Sequence, residues 1–333
     1  MSSGERCSNV SSSSSSAYAY KIYVAEGAII TIFNFALFLI LMCNRSIRSQ
    51  KEFLIYAGCM LFDVIFGITY FSSGAYRLYV VYTTTFIPLT SSWGCLLTVH
   101  NILFVYITSG AGILVLVTAV DRFIGVFFPT KYLLFRTKYV VLLLFFAYAL
   151  PLVGLPIALV TSYPTRNTFN QDALCTMVQS IPLDLFYGLR LTRVVCSLAC
   201  VLIYVPIFLH LRKSIWATAG VSFSSNGPEK RMIRMTVTVV LITLNTLLLY
   251  VVPDIIMLIN PETETFAFYI MNLNKGLVNI FIFLITQKTL RTACLNAVRP
   301  KAKRMRVVSS SHQQNNQTKS TSANAKRAVQ RAW

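Results

Sequence analysis

The side chains able to do chemistry are few, and they sit in unusual places. Among 333 residues there are 11 Asp+Glu and 3 His, too sparsely spread to form a nucleophile and base or a working pair of carboxylates. Eight cysteines show no Cys-x-x-Cys pair and no His/Cys cluster at zinc spacing, so no metal site and no cofactor are expected. What remains is a set of isolated polar groups inside apolar runs: Asn34, Asp63, Asp254, Lys275 and Asn279. A further pair, Asp121-Arg122, closes a run of roughly 25 residues without a charged side chain. Such groups are costly in hydrocarbon unless paired, so the chemistry open to them is ion pairing and hydrogen-bond exchange rather than bond breaking. Lys275 and Asp254, of opposite sign, are expected to be buried as a pair or to line a wet cavity, and to border a ligand pocket. No enzymatic activity is expected.

The elements that hold these groups follow from composition. The chain is 55% hydrophobic and only 12% charged, with a mean hydropathy of +0.62, against about 25% charged in a soluble domain. Apolar runs recur at 22–43, 53–76, 96–120, 139–161, 182–209, 235–259 and 265–286. Each is long enough for a helix to cross a ~30 Å hydrocarbon core, which predicts an all-α membrane protein with seven transmembrane helices over 22–286. The segment from Arg77 to Gly94, broken by Thr, Ser and Pro, reads as a long loop. Residues 1–21, with six consecutive serines, read as a disordered tail, and the basic, Ser/Thr/Asn/Gln-rich segment 299–333 as a second one.

Orientation follows from the short loops. Of the 30 Lys+Arg, 23 fall in the segments after runs one, three, five and seven, while Arg6, Lys21, Arg77, Arg166, Arg190 and Arg193 fall on the other side. The positive-inside tendency then places the N-terminus outside and the C-terminus in the cytoplasm of a multi-pass plasma-membrane protein. The net charge of +19 lies between apolar runs and in the tail, so it faces lipid headgroups and not nucleic acid. The sequon Asn9-Val10-Ser11 becomes a candidate glycosylation site on the outer side.

Asp121-Arg122-Phe123, with Pro129 seven and Tyr132 ten residues after the arginine, resembles the Asp-Arg-Tyr motif at the end of the third helix of rhodopsin-like G-protein-coupled receptors. Asn279-Ile280-Phe281-Ile282-Phe283 resembles that family's Asn-Pro-x-x-Tyr, with proline and tyrosine replaced, so the seventh helix should be straighter than usual. The resemblance spans about residues 22–297 and is greatest to the nematode serpentine chemoreceptors of class sx.

The resemblance carries further implications. A disulfide would join Cys95 at the top of the third helix to Cys175 in the loop after the fourth, with Trp93 like the tryptophan of the preceding loop. Asn34, Asp63 and Asn279 would form an internal hydrogen-bonded network. Ala111 stands where related receptors place a serine of their sodium site. Pro253 would kink the sixth helix and Tyr204 would meet Arg122 in the active state. The lysine of opsins would fall at Leu273, so light sensing is not implied. Lys230, Arg231 and Arg234, with Arg122, Pro129 and Tyr132, would border the docking surface of a heterotrimeric G protein. Residues 287–298 resemble the interfacial eighth helix, where Cys294 is a candidate for palmitoylation. A small molecule arriving from outside would be the signal. A seven-span ligand-gated channel or a transporter are the alternatives; a transporter would be expected to show matching interrupted helices in two halves.

Overall fold

The computed structural model describes residues 13–48, 50–84, 87–135, 137–218, 228–259 and 265–298. Among them are seven helices long and apolar enough to cross a membrane. Span one is the helix Ser13–Cys43, span two Lys51–Thr83 and span three Val99–Phe127. Span four runs Thr137–Thr165, span five is Leu183–Thr218, and span seven Thr265–Thr286. Span six runs from Pro228 to Ile259 through a π-helical turn at Leu247–Val251. Every apolar run marked by the sequence is therefore a helix, and the fold is a seven-transmembrane bundle.

Two boundaries differ from expectation. Span one begins at Ser13, inside the stretch read as a disordered tail; helix hydrogen bonds satisfy its polar backbone where composition alone offered no burial. Span two continues to Thr83, so the segment after Arg77 is not a long loop. Strand β1, Leu89–Ser91, comes after span two and pairs antiparallel with strand β2, Phe169–Asp172, in the loop after span four.

The irregularities sit at prolines. Pro151 lies in a 3-10 turn, Leu150–Val153, that interrupts span four, since proline lacks the N–H and crowds the carbonyl four residues back. In span six the π-turn immediately precedes Pro253 and accommodates the same clash. Elsewhere threonine hydroxyls fold back onto their own helix, as Thr118 Oγ1 does on the Leu114 carbonyl at 2.8 Å and Thr243 Oγ1 on that of Val239 at 2.9 Å, which satisfies those donors in an apolar medium.

Packing is closest where glycines remove side chains. A Cβ on Gly27 would lie 2.7 Å from the backbone nitrogen of Phe71, one on Gly67 2.9 Å from the carbonyl of Gly27, and one on Gly74 2.8 Å from the carbonyl of Tyr20. Spans one and two thus touch backbone to backbone over two turns. Spans three and five do so at Gly112, whose Cβ would sit 2.8 Å from the Cα of Arg193. An aromatic core fills the space between spans two, three and six: Tyr70 and Phe104 meet edge to face at 5.2 Å, Phe66 and Tyr250 at 6.0 Å. Lys288–Val298 is an 11-residue helix that belongs to a separate unit.

Candidate functional site

Three polar centres lie along the bundle. At the end that carries β1 and β2, Cys95 and Cys175 are joined in a disulfide with their Cα atoms 5.0 Å apart. Cys175 has a φ of 49°, in the left-handed region that a residue with a side chain rarely adopts. Its carbonyl accepts from Asn101 Nδ2 at 3.1 Å and lies within 3.5 Å of Arg77 Nη2, while Arg77 Nε donates to the Leu174 carbonyl at 3.1 Å. Span two and span three thus hold the unfavourable backbone in place from below. Trp93 packs edge to face on Tyr163 at 5.3 Å.

The middle centre is built on Asp63, which is almost wholly buried. Its Oδ1 faces Lys275 Nζ at 3.3 Å and its Oδ2 accepts from Asn279 Nδ2 at 3.4 Å. Asn279 Oδ1 in turn accepts from Asn245 Nδ2 at 2.9 Å, and the same amide reaches the Lys275 carbonyl at 3.0 Å. Spans two, six and seven are tied by this network. Beside it is a cavity of about 30 Å³ lined by Asp63, Lys275, Asn279, Ala111, Thr118 and Phe62 among others, enough for one or two waters. Phe283 closes it toward the third centre, edge to face with Tyr56 at 5.1 Å.

Asp63 and Asn279 meet as the resemblance implies, but Asn34 does not join them. Its Nδ2 donates to the Ile30 carbonyl of its own helix at 3.0 Å, and its Oδ1 is buried without a partner among the described residues. Nor do Lys275 and Asp254 pair. Asp254 is ion-paired with Arg193 of span five, whose guanidinium also covers the ring of Tyr250 at 4.0 Å. Arg190 and Arg193, counted as loop charges from the sequence, are buried inside span five at 5% and 4% exposure. Asn245 and Arg193 are the members that sequence reasoning missed. Each lies within an apolar run, a signal that was available.

A second cavity, of about 20 Å³, lies between the network and the disulfide. Tyr70, Phe104, Arg190, Arg193, Tyr250 and Asn272 line it, and Met177 from the loop after span four lies over it.

The third centre is at the opposite end. Asp121 and Arg122 form an ion pair at 0% and 5% exposure. Arg122 Nη2 also reaches the Tyr132 hydroxyl at 3.4 Å. Lys51 of span two holds Tyr132 from the other side, donating to its carbonyl at 2.8 Å with its ammonium 5.1 Å from the ring. Burial raises the Tyr132 phenol well above its usual pKa against the pull of Arg122, so it stays protonated at neutral pH. Pro129 starts the short helix Pro129–Leu134 that carries it, where its missing N–H costs nothing. Tyr204 is buried nearby in span five, and its hydroxyl has no hydrogen-bond partner among the described residues. Gln287 Nε2 donates to Thr238 Oγ1 at 2.6 Å, joining spans seven and six at this end. Asn9 and the side chains of Lys230, Arg231 and Arg234 lie outside the described residues.

No curated protein matches the chain significantly. The family model described as "Serpentine type 7TM GPCR chemoreceptor Srsx" does match, over residues 28–298, a range that holds all three centres. A seven-span bundle with a buried Asp-Arg pair at one end and a disulfide-tied loop at the other accords with that match, and the chain belongs to the Srsx family of serpentine chemoreceptors, within the G-protein-coupled receptors.

Proposed function

We propose that the protein is a plasma-membrane chemoreceptor in which a small molecule, entering from the extracellular face beneath the disulfide-tied loop, activates a heterotrimeric G protein. The observation that carries this reading is the buried Asp121–Arg122 pair, completed by Tyr132. A charge-paired arginine at the end of a span is a two-state element: it stays paired within the bundle or swings free toward a partner. Ligand in the outer cavity, which touches spans two, three, five, six and seven, shifts span six through Asn245 and Asn279, and the inner end opens. Tyr204, buried near this end of span five, receives Arg122 in the open state. Arg122, Pro129 and Tyr132, with Lys230, Arg231 and Arg234, border the docking face, and Asp254 and Lys275 act behind the ligand cavity.

The orientation rests on charge. With Arg190 and Arg193 inside span five, the outward-facing segments hold even fewer cations than the loops suggested. Cys294, in the helix Lys288–Val298, is a candidate for palmitoylation.

The test is nucleotide exchange on a panel of purified G proteins, wild type against Arg122→Ala, across a panel of small molecules. Agonist-stimulated exchange that Arg122→Ala abolishes is the expected result; exchange that persists in the variant would overturn the reading. Loss of a glycan on Asn9→Gln, seen as a gel shift, checks the orientation independently.

A further inference from the structure

We infer that the outer cavity takes an organic anion, with Arg190 as the residue that binds its acidic group. This assignment rests on the receptor reading above only for the route by which ligand arrives.

The argument is one of unbalanced charge. Three charged side chains lie at the cavity: Arg190, Arg193 and, behind Arg193, Asp254. Arg193 and Asp254 neutralise each other. Arg190 is equally buried, at 5% exposure, yet no carboxylate pairs with it among the described residues. Its contacts are the thioether of Met257, at 3.2 Å from Nη1, and the ring of Phe186, 4.2 Å from the guanidinium carbon. A guanidinium carries five donors in a planar fork that suits a carboxylate, sulfate or phosphate, and a thioether sulfur is a weak acceptor. A buried cation held this way is poorly compensated, and an anion entering the cavity would complete it.

The surroundings extend the description. Tyr70, Phe104, Tyr250 and Tyr269 supply aromatic walls, which suit a flat or apolar body behind the acidic group. Asn272, with its side-chain oxygen buried and without a partner among the described residues, faces the same space and offers a hydrogen bond to a hydroxyl or amide on that body. Met177 lies over the cavity, its sulfur 3.5 Å from the Thr108 hydroxyl. At about 20 Å³ the space holds one water, so the flexible Met177 must move aside for a ligand. The depth is reachable: Arg190 lies seven residues below the start of span five at Leu183, about 10 Å along the helix. A small organic acid fits these requirements; an amine does not, because it would meet Arg190 with like charge.

The test uses purified receptor in lipid nanodiscs and measures thermal stabilisation by a panel of aliphatic and aromatic monocarboxylates, sulfonates and monophosphates. Each is compared with its neutral amide, alcohol or ester and with the matching amine. At least one anion is expected to stabilise the wild type while its neutral and cationic counterparts do not. Arg190→Gln should weaken that anion's binding at least tenfold and Arg190→Lys less so. Without ligand, Arg190→Gln should melt at or above the wild type, since an uncompensated buried charge has been removed; a purely structural arginine would give a lower melting point. Stabilisation by amines or neutral compounds alone, or no anion that distinguishes wild type from Arg190→Gln, would overturn the proposal. The readout contains no G protein. Anion binding without nucleotide exchange would therefore sink the receptor reading and leave this site standing, and exchange driven by neutral ligands would do the reverse.

Discussion

Lys275 of span seven and Asp63 of span two meet as an ion pair, with Nζ 3.3 Å from Oδ1, and both are buried. The carboxylate at the centre of the bundle thus draws its counter-charge from the chain itself, and Asn279 satisfies its other oxygen.

Removing one partner should be costly. Lys275→Met leaves Asp63 charged and unpaired in an apolar surround, a loss of about 3–5 kcal/mol for a buried pair broken on one side. The double variant Asp63→Asn/Lys275→Met removes both charges and should recover most of that loss. Thermal denaturation in detergent of the two single variants and the double variant measures the coupling; simple additivity would mean that the pair contributes nothing.

Asp121→Asn should raise basal signalling. The change leaves Arg122 buried without its counter-charge, a penalty that falls on the closed state and is relieved when the arginine swings out. Each 1.4 kcal/mol of closed-state destabilisation is about a tenfold shift toward the open state. Ligand-free nucleotide exchange should therefore rise by tenfold or more over wild type, and unchanged basal exchange would contradict the role given to the pair.

The disulfide closes a loop of 80 residues, for which the chain-entropy estimate is about 4.5 kcal/mol and measured values for such bonds run nearer ~2–4. Cys95→Ser/Cys175→Ser should lower the melting temperature accordingly. The loop should nevertheless keep part of its position, because Asn101 and Arg77 still bind the carbonyls of residues 174 and 175. Protease cleavage after Arg166, compared between oxidised, reduced and Ser variants, checks this: cleavage in the double variant should be faster than in wild type but slower than in Asn101→Ala/Cys95→Ser/Cys175→Ser.

Gly112→Ala should disturb the outer cavity from outside it. The new methyl would meet the Cα and carbonyl oxygen of Arg193 at 2.8 Å, and backbone cannot rotate away. Overpacking of this kind costs about 1–3 kcal/mol, more than the roughly 1 kcal/mol of helix propensity that alanine returns. A net loss of thermal stability and a weakened response to agonist are expected. A variant as stable and as responsive as wild type would show that spans three and five can separate freely.

Much of this was legible in the letters. The seven spans follow from run length alone, because hydrocarbon thickness dictates the number of apolar residues needed. Asp121, Arg122, Pro129 and Tyr132 could be placed because each lies near a helix end, where chain order fixes neighbourhood. The pairing of charges could not. Asp254 has several oppositely charged candidates within the spans, among them Lys275, Arg190 and Arg193, and only the rotation of spans five, six and seven about their axes decides which one it meets. Arg190 and Arg193 read as charges on the outer side because they fall in the first half of their apolar run, and the sequence does not show how deep that half lies. Asn34 shows the same limit from the other side: an asparagine in a span can bind its own helix instead of a neighbour.

The glycine seam at Gly27, Gly67 and Gly74 bears on which parts of the molecule can move. Helices whose main chains already touch have no slack for sliding or rolling, so the first two rods form a fixed stator. Any signal that crosses the membrane must then travel as motion of the remaining rods against that stator, with the Asp63–Lys275 contact as the bearing between them.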